Sequence, residues 1–184
     1  SDQEIRHAIY PGLFDNLLNE LGDNEFIKSF RKSGDKNDRS NEELVLRFFA
    51  LNNDLDDYDS KLTETLNLFM SDQQDISPEE ASLLKEKFNS TLDKCLRTFD
   101  NPFVDTTQNK PRQGLAYYDL LMWSFSNRSD DFIDNNRNEI IQKFKELCGI
   151  DLFKKSLAGA LQQKVYILRR REMWEEKLNE IDDN

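Results

Sequence analysis

The sequence predicts an all-α protein: a multi-helix bundle of about eight or nine helices around a buried central helix at about residues 41–52. Three observations lead there. Large apolar residues, many of the 13 Phe among them, recur at threes and fours. Runs of period two are nearly absent. Capping residues and breakers punctuate the chain at helical intervals.

The elements follow in order. Asp2 is placed to cap a short helix through Ile5 and Ala8, which Pro11 ends. Leu13, Phe14, Leu17, Leu18 and Leu21 mark one face of a second helix, with Gly22 as its stop. Asp23 caps a third that turns Phe26, Ile27 and Phe30 inward, and Gly34 closes it. Residues 33–40 form a polar connector. Ser40 followed by Glu43 reads as a capping box for the central helix. An Asp-rich loop follows Leu51, and a helix spans about Ser60 to Met70.

Ser77–Pro78–Glu79–Glu80 is the strongest start signal in the chain: a capping Ser, Pro at the first helical position and Glu at the third. The helix it opens carries Leu84, Phe88, Leu92, Cys95 and Phe99 and runs about five or six turns. Residues 100–114 hold two Pro and no periodicity, which predicts a flexible loop. Leu115, Tyr118, Leu121, Met122 and Phe125 mark the next helix, and one continuous helix is expected from about Asp130 to Cys148. A short helix near Leu152–Leu157 precedes a long last one, about Leu161 to Glu180, with a frayed end at about 181–184. The 184 residues are read as a single domain.

The formal net charge of −11 disfavours indiscriminate binding to phosphate. The charge is uneven: residues 137–171 carry 9 basic and 3 acidic groups, a basic island between acidic stretches. Lys154, Lys155, Lys164, Arg169, Arg170 and Arg171 are its candidate contacts to nucleic acid or an acidic partner. Successive arginines on a helix fan out at about 100° each, so the three cannot all address one groove.

No residue set supports a catalytic, cofactor or metal assignment. His7 is the one histidine, with no nucleophile placed near it by sequence. Cys95 and Cys148 are far apart and read as reduced, buried small hydrophobes. Counting Asp54 as the first position of a calcium loop puts Asp59 where the glycine belongs and Thr65 where the glutamate belongs. The six Gly form no phosphate-binding order. Trp123, Trp174, Tyr117 and Tyr118 read as core or interface anchors. An unrecognised carboxylate site remains the enzymatic alternative. No signal peptide or membrane span is visible, so the chain reads as cytoplasmic.

One charge stands out. Between Leu44 and Leu51 only Arg47 and Ala50 lack a large apolar side chain. A helix apolar nearly all round is buried nearly all round, and a buried guanidinium keeps its charge. Arg47 therefore needs a carboxylate or several carbonyls, and Glu43 at i−4 is the first carboxylate candidate, with Asp15 and Glu20 behind it.

EIRHAIYPGLFDNLLNEL (4–21), NEELVLRFFAL (41–51) and YDSKLTETLNLFM (58–70) together resemble the helical region of the GmrSD-type restriction endonuclease family. GLAYYDLLMWSFSN (114–127) is similar to the family's helix after its variable loop, and VYILRRREMW (165–174) is a looser match. The resemblance implies a prokaryotic defence protein of modification-dependent DNA restriction. It further implies a ParB-like, sulfiredoxin-like N-terminal domain, whose D-G-Q-Q-R motif does not occur in this sequence. The chain is then an excised helical part of a longer protein, a scaffold or interaction module without catalytic residues of its own. Its expected partners are that ParB-like domain or a partner subunit, a second copy of the chain, or DNA.

Overall fold

In a computed structural model, residues 1–30, 39–52 and 55–182 are described, and they form eleven helices. The one trace of β-pairing among them is an isolated bridge. The all-α multi-helix architecture expected from the spacing is thus observed. Contacts divide the chain into two units, Ser1–Asp56 with Lys61–Asn89, and Asp57–Ser60 with Ser90–Asn184.

The first unit holds α1 (Asp2–Ile9), α2 (Leu13–Gly22), α3 (Glu25–Phe30), α4 (Ser40–Leu51), α5 (Leu62–Asp72) and the first part of α6 (Pro78–Thr98). Its centre is α4, where every residue from Leu44 to Leu51 is buried. α4 packs against α1, α2, α3 and α5. The aromatic core around it includes Phe14 and Phe49, ring centroids 5.7 Å apart, and Phe48 and Phe88, 5.3 Å apart. Edge-on rings at such distances are favourable beyond the area they bury.

Several helix ends differ from the sequence reading by one residue, each for a local reason. Ser1 rather than Asp2 caps α1, with Glu4 completing a capping box. Asn24 rather than Asp23 opens α3: its Oδ1 accepts from the amides of Phe26 at 2.9 Å and Ile27 at 3.4 Å. Ser40 is already helical, and Arg39 takes the cap position in a left-handed conformation, φ 52°, its guanidinium donating to both oxygens of Glu42 at 2.8 Å. Gly22 is the last helical residue of α2, and a Cβ there would lie 3.2 Å from the Glu42 amide nitrogen. Close approach of α2 to the start of α4 selects this glycine. Gly34 and Asp54, assigned above to a helix stop and a calcium-loop position, lie outside the described residues.

The second unit holds the rest of α6, α7 (Leu115–Ser126), α8 (Asp130–Asn135), α9 (Arg137–Gly149), α10 (Asp151–Ser156) and α11 (Lys164–Asp182). The box that starts α6 is present: Glu80 N–H donates to Ser77 Oγ at 3.1 Å, and Ser77 N–H to Glu80 Oε2 at 2.8 Å. α7 is the most buried helix here, with Tyr118, Leu121, Met122 and Phe125 fully inside. Trp174 of α11 is fully buried and donates from Nε1 to Ser124 Oγ of α7 at 3.0 Å.

The single helix expected over 130–148 is two. Asn136 breaks it at φ −112°, ψ 18°, and its Nδ2 donates to the Phe132 carbonyl at 2.9 Å. A side-chain amide competing for backbone groups ends a helix in this way. The loop over 100–114 buries its first limb at Phe103, Val104 and Asp105 and exposes residues 106–112. Its base is closed by the Val104–Gln113 bridge and by Gly114 N–H donating to Phe103 O at 2.9 Å. No helix among the described residues is long and apolar enough to cross a membrane.

Candidate functional site

The first helix is inside out. At about 100° per residue, Gln3 and Arg6 share one face of α1, and Ile5 and Ile9 share another. An ordinary surface helix turns the isoleucines inward. Here Gln3 and Arg6 are 1% and 2% exposed, whereas Ile5 and Ile9 are 58% and 57% exposed. Leu13, at the start of α2, is exposed as well. The short helix expected through Ile5 and Ala8 is present, and its polar face is the one turned inward.

What draws the polar face inward is a carboxylate on α4 and a side-chain amide on α5. Arg6 Nη1 donates to Glu43 Oε2 at 3.0 Å and to Gln3 Oε1 at 3.0 Å, while Nε donates to Asn67 Oδ1 at 2.7 Å. Beside it, His7 Nδ1 lies 2.6 Å from Oδ2 of the buried Asp15. Asp15 Oδ1 and Gln3 Nε2 have no hydrogen-bond partner among the described residues. Burial pushes the Glu42 carboxyl above the usual carboxylate range, against the pull of Arg39. Removing a carboxylate from water disfavours its charged form.

The residues singled out by sequence fall as follows. Arg47 is buried, 4% exposed, as its setting required. Glu43, its first candidate partner, is part of the Arg6 pair. Asp15 faces His7, and Glu20 binds Lys85. One buried charge that sequence reasoning missed is Arg6. Its signal was the i, i+4 pair Ile5 and Ile9 set against Gln3 and Arg6 at i, i+3, a pattern that has two faces and does not say which one is inside.

The basic island does not form one surface. Arg170 is 1% exposed and donates to the carbonyls of Ser156 at 2.7 Å and Leu161 at 2.8 Å, tying α10 and the following turn to α11. Arg171 lies over the Trp123 ring, 4.4 Å from its centroid, and Arg169 over Tyr166 at 6.0 Å. Lys154 and Lys155 are exposed on α10, and Lys164 begins α11, its amide donating to Ser60 Oγ at 2.9 Å.

Both cysteines are buried and unbridged. Burial pushes both thiols up, Cys148 to about 12, with the neighbouring Asp105 carboxylate adding to the effect. A thiol held protonated is a poor nucleophile. No group of three or more His, Cys, Asp or Glu side chains among the described residues is placed to hold a metal ion. No family model, curated protein or solved structure matches the chain.

Proposed function

We propose that this chain is the helical scaffold and interaction module of a cytoplasmic, GmrSD-like restriction protein, and that the outer face of α1 receives the ParB-like domain of that protein or of a partner subunit. The observation that supports this reading is the reversed α1. Its isoleucines are exposed while a guanidinium and an amide are held inside. Large apolar side chains held outward on a helix whose polar face is pinned are those of a contact surface. The sequence segments that resemble the family, 4–21, 41–51 and 58–70, supply the residues that pin it: Arg6, Glu43 and Asn67.

DNA contact through the basic island has less support, because Arg170 and Arg171 are engaged within their own unit. A binding titration against a D-G-Q-Q-R-bearing ParB-like domain tests the proposal. Association is expected, and Ile5→Asp with Ile9→Asp is expected to weaken it at least about a hundredfold, as two central apolar contacts of an interface would. Both positions are exposed, so the chain itself should keep its helicity and midpoint of unfolding. Unchanged association in the double variant, or nucleotide turnover by the chain alone, overturns the reading.

A further inference from the structure

The second unit contains a cavity of about 590 Å³ between the loop after α6, the start of α7 and α10 with the turn that follows it. That volume is in the range of small-molecule pockets. Leu115, Leu157 and Leu161 supply an apolar lining. Its polar lining is Asp105, Thr107, Gln108, Tyr117 and Lys154, and the last two have a side-chain donor to offer. Lys154 stands exposed at the wall, and its ammonium makes no ion pair or hydrogen bond among the described residues. Tyr117 is 93% buried, being 7% exposed, and its hydroxyl has no protein partner among the described residues. Burial pushes that phenol up, so it stays protonated and able to donate. The wall also includes the first turn of α7, a twelve-residue helix whose N-cap is Gly114 and which has no capping side chain. Its leading amides carry the positive end of the helix dipole.

One anionic group, Asp105, lines the same space, and it is already satisfied. It accepts from Thr107 N–H at 2.8 Å, Thr107 Oγ1 at 2.5 Å and Gln108 Nε2 at 3.1 Å. It holds the loop in shape and is 3% exposed. Gly114 also has a packing reason: a Cβ there would meet the Tyr117 ring at 3.0 Å. The glycine leaves the helix start bare and lets the ring lie against it.

From this we infer that the cavity is a binding site for a small organic anion, an apolar body of aromatic or branched aliphatic kind carrying one carboxylate, sulfonate or phosphate head. The body lies on the leucines. The head faces the Lys154 ammonium and the bare start of α7, and Tyr117 donates to it or to a neighbouring oxygen. The inference does not depend on what docks on α1.

The test is fluorescence titration of the full chain with 8-anilinonaphthalene-1-sulfonate, alongside N-phenyl-1-naphthylamine, which has the same body without the sulfonate. Both should bind saturably at one site. Lys154→Glu, at an exposed position that does not endanger folding, should weaken the sulfonate about tenfold or more and leave the neutral dye unchanged, the signature of a charge-assisted contact. Tyr117→Phe should weaken the sulfonate about threefold. Leu157→Trp should expel both dyes by filling the space. The inference is overturned by any of three results: no saturable binding, sulfonate affinity unchanged in Lys154→Glu, or loss of the signal in Ile5→Asp with Ile9→Asp while Leu157→Trp binds normally. The last would place the dye on α1.

Discussion

Replacing Arg6 by methionine removes one guanidinium and leaves three acceptors behind. Glu43 Oε2, Gln3 Oε1 and Asn67 Oδ1 each lose a donor at 2.7–3.0 Å. Breaking a fully buried ion pair from one side costs about 3–5 kcal/mol. The figure here is smaller, because the Glu43 side chain is 28% exposed and recovers some hydration. Gln3 recovers little: it is 1% exposed, and its Nε2 already lacks a partner. A buried acceptor left unsatisfied costs about 1–3 kcal/mol. Methionine refills most of the volume, so the cavity contribution is slight. The expected net loss is about 2–4 kcal/mol, a large fraction of the 5–15 kcal/mol that holds a typical domain.

Urea unfolding measures this loss, and amide exchange locates it. α1 is fastened mainly to α4 and α5, so the helix should open before its unit does. Exchange should accelerate in α1 far more than in α4. Arg6→Lys should recover only part of the loss, since an ammonium cannot reproduce the planar fork that spans Asn67 and Glu43. A double-mutant cycle with Glu43→Gln should show coupling of about 1 kcal/mol or more. A loss in Arg6→Met below about 1 kcal/mol, with no coupling to Glu43, would refute the claim that this charge pins the helix.

Three further outcomes follow from the same bookkeeping. Arg47→Met should cost about 3–5 kcal/mol in denaturant unfolding, because the guanidinium is 4% exposed in the middle of α4. Ser124→Ala should cost about 1–3 kcal/mol, by leaving the buried Trp174 indole N–H without its acceptor, and should alter the tryptophan emission of the native state. Cys95 and Cys148 should resist a disulfide-exchange reagent at pH 8 until the chain is unfolded. Their folded thiols titrate above the unfolded value of 9.0, Cys148 at about 12, so their contribution to stability is complete below that value and is lost as pH rises from there toward about 12. An alkaline unfolding series that stays flat through that window would contradict it.

The sequence disclosed helices far better than it disclosed which way they face. Where an apolar run goes all round, as in α4, burial is unambiguous, and Arg47 was correctly placed inside. Where a helix has one apolar and one polar face, pattern alone does not say which is inside, and α1 turns its polar face in. The deciding residues sit elsewhere in the chain: Glu43 on α4 and Asn67 on α5. Helix ends were legible to within one to three residues: capped starts such as that of α6 fell in place, whereas α5 begins at Leu62 rather than Ser60 and α11 at Lys164 rather than Leu161. Asn136 was missed as a break because the apolar spacing of Ile133, Ile140 and Ile141 runs on across it. The 590 Å³ cavity had no local signature, since its lining comes from three separate stretches of chain.

Arg6 and Arg170 serve the same purpose by different means, and the difference bears on how each unit can work. Arg170 donates to two backbone carbonyls, Ser156 and Leu161, which any sequence at those positions would supply. Such a tie is insensitive to substitution of its acceptors and suits a permanent brace between α10 and α11. Arg6 depends on three side chains from α1, α4 and α5, one of them a titratable carboxylate. Protonating Glu43 or pulling Asn67 aside weakens it, while Ile5 and Ile9 gain by turning inward once the polar face is released. The reversed helix is therefore a strained arrangement by hydrophobic criteria and a satisfied one by electrostatic criteria. A partner that covers Ile5 and Ile9 removes the hydrophobic penalty without disturbing the ion pair, so binding should slow exchange throughout α1. If amide exchange in α1 is as fast in the complex as in the chain alone, covering the isoleucines does not stabilise the helix, and the opposition between its two faces is not what holds the partner.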